Sequence, residues 1–210
     1  MPARKPTPKA APGRVNKAGD TSDLVKGVVL TPGAGAGRDH STLVAIDGAL
    51  SASGIVVERV DFPYRTAGRR SPDRPPVLIA TVVEAARTLA SALGTGTERL
   101  ALGGRSMGGR MCSIAVAEGL PAAALVLVSY PLHPPGRPEQ ARTGHFGALD
   151  IACLFVSGTR DAFGAPDELT AASAAIPGPV THEWIEGGDH GLRGRDEHVA
   201  ESIRDWILTL

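Results

Sequence analysis

The sequence predicts an α/β protein with a six-stranded, all-parallel sheet and helices on both faces. Three observations predict it. Six short runs rich in Val, Leu and Ile, each bounded by Gly or Pro, recur along the chain. Ala- and Leu-rich segments with helical spacing lie between them. The runs are nearly continuous in their apolar character, as strands covered on both faces are. Strands that alternate with helices in this way form a parallel sheet wrapped on both sides.

The opening stands apart from the pattern. Arg4, Lys5, Lys9, Arg14 and Lys17 all precede the first acid, Asp20, and Val15 is the one branched apolar residue among them. Such a segment buries too little surface to offset its ordering entropy. Residues 1–20 are therefore expected to be a disordered basic tail, with a weak anion-binding arm as the alternative. With no apolar run behind its basic residues, it is not expected to be a secretory signal. The folded domain is expected over 21–210.

The first strand, Lys26–Thr31, ends at Pro32 and Gly33. A helix follows over Thr42–Ala52, with Asp39 expected to cap it. The second strand, Gly54–Val60, is expected at the sheet edge, because too few residues precede the first strand to form an antiparallel hairpin beside it. The edge is either exposed or covered by Arg65–Pro76. An exposed edge invites pairing, so monomer and homodimer both stand as expectations. A helix over Val77–Leu93 leads to the third strand, Leu100–Gly103, and then to a helix over Met107–Glu118. The fourth strand is Ala123–Val128. The connection from Ser129 to Asp150 carries Pro131, Pro134, Pro135 and Pro138, and is too short and Pro-rich for a helical lid. The fifth strand, Ile151–Val156, a helix over Asp167–Ala174 and the sixth strand, Val180–Ile185, follow. The closing segment, Asp196–Leu210, places Val199, Ile203, Trp206, Ile207 and Leu210 on one helical face.

Composition excludes several classes. The 210 residues carry 22 basic and 22 acidic side chains. A neutral chain argues against a dedicated nucleic-acid binder, and no apolar run approaches a membrane span. Cys112 and Cys153 are too few for a disulfide framework or a thiolate metal site, so no metal is expected. They read as reduced, buried thiols in a cytoplasmic protein.

The chemistry sits where the third strand meets its helix. Gly104-Arg105-Ser106-Met107-Gly108 fits G-x-S-x-G in the strand–turn–helix setting of a nucleophile elbow. The glycines leave room where the turn passes its neighbours. A serine nucleophile needs a base, and the base needs an orienting acid. In α/β-hydrolases these follow in the order Ser, acid, His at the ends of later strands. Asp161 is the first acid after the fifth strand, and His190 lies in the Gly-rich loop after the sixth. A turn-forming role is the alternative for Asp161. Asp167 is the rival acid, although after Pro166 it reads as a helix N-terminal residue. His40, His133, His145, His182 and His198 all fall outside the loop that this architecture assigns to the base.

The oxyanion of the tetrahedral intermediate needs donors. The N–H of Met107 is expected to be one. The loop Thr31–Gly37 is expected to supply the other at Ala34, with Gly35 one step behind. Gly35, His40, Tyr64, Arg105, Tyr130 and His133 are the expected substrate-cleft residues. A plain surface role is the alternative for His40, and a structural salt bridge that for Arg105. Gly33, Gly35 and Gly37 also imitate a dinucleotide fingerprint, but Arg38 stands where G-x-G-x-x-G requires its third glycine.

The chain resembles the small dienelactone-hydrolase-like α/β-hydrolases, and most closely the testis-expressed hydrolase-like group. The matching stretches are residues 30–37 with Asp39-His40, Asp61-Phe62-Pro63-Tyr64, Asp73-Arg74-Pro75-Pro76, residues 103–110, residues 130–136, residues 158–161 and Gly188-Asp189-His190. Two positions depart from the pattern: Pro32 stands where the group usually has His, and Ser106 where dienelactone hydrolases proper have Cys. The resemblance implies a minimal α/β-hydrolase fold, a Ser106–His190–Asp161 triad and no cofactor. The expected function is hydrolysis of small or medium carboxylic esters through an acyl-enzyme. Acyl thioester hydrolysis and a catalytically silent interaction module are the alternatives.

Overall fold

A computed structural model describes residues 25–210. The expected basic tail lies outside the described residues. The sheet has six parallel strands in the order β2-β1-β3-β4-β5-β6. They are β1 (Gly27–Thr31), β2 (Val56–Arg59), β3 (Leu100–Arg105), β4 (Ala124–Val128), β5 (Ala152–Gly158) and β6 (Val180–Ile185). The helices are α1 (Ser41–Ser51), α2 (Pro63–Thr66), α3 (Pro75–Ala92), α4 (Met107–Ala117), α5 (Pro166–Ser173) and α6 (Asp196–Ile207).

Strand side chains alternate between the two faces, as the pleat requires. Val29, Leu102, Leu125, Leu127 and Phe155 join the core under α3, α4 and α5. Val28, Leu30, Ala101, Val126, Leu154 and Val156 join the core under α1 and α6. All of these side chains are buried. The central strands are apolar along most of their length because both faces are covered. In α6, Val199, Ile203 and Ile207 are buried and Trp206 packs at the margin; the helix ends at Ile207, and Leu210 packs at the margin beyond it.

The expected elements agree with the observed ones to within about two residues at most ends. Short α2 was not foreseen. It starts at Pro63, whose fixed φ suits the first helical turn. β2 is an edge strand and exposes Val56 and Glu58. Arg59 lies at its end and pairs with Asp39 and Asp47, each at 2.9 Å. Asp39 is thus committed to Arg59 and does not cap α1. His40 does, its Nδ1 accepting from the Thr42 N–H at 3.3 Å. Between β4 and β5 the chain forms two single-turn 3₁₀ segments, Pro138–Gln140 and Phe146–Ala148, and no α-helix.

The topology fixes where a site can form. The chain runs from β1 outward to β2, then returns to place β3 on the other side of β1. The loops leaving β1 and β3 therefore diverge and open a crevice at their C-terminal ends, where open α/β sheets bind ligands.

Candidate active site

β3 ends in the turn that carries Ser106. The serine adopts φ 52° and ψ −115°, a conformation that costs a non-glycine residue about 1–3 kcal/mol. Its N–H donates to Val128 O at 2.8 Å, which anchors the turn to the end of β4. The turn fits because its glycines have no side chains. A Cβ on Gly104 would overlap the Thr31 carbonyl, and one on Gly108 would meet both Thr31 O and Pro32 O. Ser106 is then presented directly ahead of α4.

Three side chains from three strand ends form one hydrogen-bonded chain. Ser106 Oγ lies 2.9 Å from His190 Nε2. His190 Nδ1 lies 2.8 Å from Asp161 Oδ2 and 3.0 Å from Oδ1. The Asp161 side chain is 2% exposed and also accepts from the Phe163 N–H at 2.8 Å. An acceptor-only carboxylate against Nδ1 leaves Nε2 as the nitrogen able to take a proton.

The base loop is held at two further points, neither foreseen from sequence. Phe163 stacks on the His190 ring with centroids 4.0 Å apart. Arg105 Nη2 donates to His190 O at 2.7 Å. The structural salt bridge offered as the alternative for Arg105 does not form: among the described residues its hydrogen-bond partner is a carbonyl, not a carboxylate. Burial pushes its pKa down, while Asp161, Asp196 and Asp189 nearby push it up.

The β1 loop passes in front of Ser106. A Cβ on Gly33 would touch that of Ser106 at 3.6 Å. The Ala36 N–H donates to Gly33 O at 3.1 Å and closes a turn. The Tyr64 hydroxyl donates to Ala34 O at 2.8 Å. Each peptide is planar and trans. Fixing the Gly33 carbonyl therefore also fixes the Ala34 N–H, and fixing the Ala34 carbonyl fixes the Gly35 N–H. The Met107 N–H opens α4 and has no intrahelical acceptor.

A cleft of about 540 Å³ adjoins Ser106 and His190. Gly33–Ala36, His40, Arg105, Arg193 and Asp196 are among the residues that line it. Of the expected cleft residues, the structure brings Gly35, His40 and Arg105 here. Burial and the Arg105 charge lower the His40 pKa.

Tyr64, Tyr130 and His133 are corrections. Tyr64 is fully buried and braces the β1 loop from behind. Tyr130 is 2% exposed and donates to Arg142 O at 2.7 Å. His133 is 5% exposed, with Nδ1 2.9 Å from Pro134 O and Nε2 3.3 Å from Glu168. An aromatic or imidazole ring near the end of a strand reads in sequence as a cleft residue. Here the local backbone turns all three inward.

Residues 25–206 match the family described as "Alpha/beta hydrolase domain", and the chain belongs to that family. Among solved structures it is similar to an alpha-beta serine hydrolase homologue from Coxiella burnetii, at 18% identity and a TM-score of 0.72, covering 88% of this chain and 85% of that one. It is also similar to Est1E from Butyrivibrio proteoclasticus, at 16% identity, a TM-score of 0.69 and coverage of 91% and 90%. Dienelactone hydrolase from Anabaena variabilis matches at 19% identity, a TM-score of 0.68 and coverage of 88% and 87%. At these identities the likeness is one of fold. No helix among the described residues is long and apolar enough to cross a membrane.

Proposed function

We propose that the protein is a serine esterase acting on small or medium carboxylic esters. The observation that carries this reading is the continuous contact from Ser106 Oγ through His190 to buried Asp161. In this mechanism Ser106 Oγ attacks the ester carbonyl carbon while His190 Nε2 takes the hydroxyl proton. The carbonyl oxygen becomes an oxyanion facing the N–H groups of Met107 and Ala34, with Gly35 beside them. Asp161 stabilises the imidazolium. As the tetrahedral intermediate collapses, the C–O bond to the alcohol breaks and His190 protonates the departing oxygen. Water then adds to the acyl-enzyme with His190 as base, and the second collapse releases the acid and restores Ser106.

The connection between β4 and β5, with its two 3₁₀ turns, supports a preference for short acyl chains, since no helix there covers the cleft. Within the family, the quoted motifs support placement in the testis-expressed hydrolase-like group. The test is a fluorophosphonate probe followed by a panel of esters of increasing chain length. Labelling of Ser106 alone, with turnover of the short esters, is the expected result. Folded protein that takes up no probe would favour the interaction module, and faster turnover of thioesters than of matched esters would favour the thioesterase.

A further inference from the structure

A second group of polar side chains lies one helical turn from Ser106, on the β4 side and away from the β1-side cleft. Arg110 sits on α4, and its N–H donates to Ser106 O at 3.1 Å. Its charge acts on Tyr130 and His145, which face this side of α4. Arg142 reaches the same place from the connection between β4 and β5. The two cations feel one another: the Arg110 charge disfavours the ionised form of Arg142.

Neither guanidinium is fully satisfied within the fold, although Arg110 meets the Tyr130 hydroxyl. Arg110 Nε is buried with no acceptor. Arg142 makes one long contact, from Nη1 to Pro131 O at 3.4 Å. No carboxylate among the described residues pairs with either. The groups around them are neutral. The Tyr130 hydroxyl faces Arg110 and donates to Arg142 O. Ser113 Oγ donates to Arg110 O at 2.9 Å and lies 2.8 Å from His145 Nε2. Burial and the Arg110 charge hold His145 down to about 4, so its ring is uncharged near neutral pH.

Two half-buried guanidiniums within electrostatic reach of one another repel, and the buried Arg110 Nε is left as an unused donor. A group with two or three oxygens and a negative charge resolves both problems at once, because the guanidinium fork matches it in a bidentate way. We propose that Arg110 and Arg142, flanked by Tyr130, Ser113 and His145, bind the oxyanion group of a small ligand, a phosphate or a carboxylate. The site requires no turnover at Ser106, so it stands apart from the esterase reading.

The test is calorimetric titration of the full chain at low ionic strength with inorganic phosphate and with glutarate, against chloride at matched ionic strength. At least one of the two should bind saturably and raise Tm beyond the chloride control, and the tighter one identifies the preferred geometry. Arg110→Gln and Arg142→Gln should each weaken binding by at least about tenfold, while Ser106→Ala should bind as the native chain does. Arg110→Lys, which keeps the charge and loses the fork, should fall between, and serves if the Gln variant does not fold. Phosphate and glutarate binding no tighter than chloride would overturn the proposal. So would arginine variants that bind as tightly as the native chain.

Discussion

The Tyr64 hydroxyl grips the Ala34 carbonyl at 2.8 Å from a fully buried position. This bond orients the Gly35 N–H, because carbonyl and N–H share one rigid peptide plane. Together, Tyr64 and the Gly33–Ala36 turn brace the loop that follows Pro32.

Tyr64→Phe keeps the packing and removes the grip. The expected outcome is a fall in kcat of about tenfold with little change in KM, since a donor aimed at developing charge acts mainly in the transition state. Fluorophosphonate labelling should persist. Denaturant midpoints should report a loss of about 1 kcal/mol, as for one hydrogen bond. Unchanged kcat would reduce Tyr64 to a packing residue.

Asp161→Asn tests the acid. The amide is nearly the same size and can still accept from the Phe163 N–H, so the fold should survive. It can also donate to His190 Nδ1, which favours the wrong tautomer. Ester turnover should fall by about 10³–10⁴, and Ser106→Ala should abolish labelling. Circular dichroism of each variant separates loss of chemistry from loss of fold.

Gly108→Ala should destabilise the protein by about 1–3 kcal/mol, as overpacking does, because its Cβ would meet backbone oxygens at Thr31 and Pro32. Gly35→Ala is the contrast. A Cβ there meets nothing within 4 Å, so its urea midpoint should stay close to native.

His145 makes stability depend on pH. Its pKa is held at about 4 in the fold against an ordinary value of 6.5, by burial first and then by Arg110. Between those values the unfolded chain takes up a proton that the folded chain does not, so stability falls as pH drops from about 6.5 toward 4. His40 and His182 are lowered too, chiefly by burial, and act in the same direction. His133 is raised, first by the Pro134 carbonyl, and acts in the opposite one. His145→Gln should therefore give a flatter curve of Tm against pH over this range.

The strands were legible because burial on both faces writes an apolar run that water cannot tolerate. Ser106, Asp161 and His190 were legible because the parallel order places strand ends together, so chain position translates into space. What escaped were contacts with no local signature. The bond from Arg105 to the His190 carbonyl and the stacking of Phe163 depend on how distant loops meet. Tyr64 and Tyr130 misled for the same reason. A tyrosine in sequence does not reveal whether its hydroxyl meets substrate or a neighbouring carbonyl.

The return of the chain after β2 sets an order of assembly. β1 pairs with β3 across seventy-three positions, Gly27 with Leu100, whereas every other neighbouring pair of strands is joined across fewer than thirty. Closing the longest loop carries the largest entropic cost, and such pairings slow folding. On a ribosome, β1 and β2 emerge long before the strand that belongs beside them, and β1 must wait with one edge open. The loop at Ala34 and the serine at Ser106 are joined across that same late seam. A protease or a chaperone that recognises open strand edges should therefore act on the nascent β1–β2 unit, and lose its grip once residue 105 has cleared the exit tunnel.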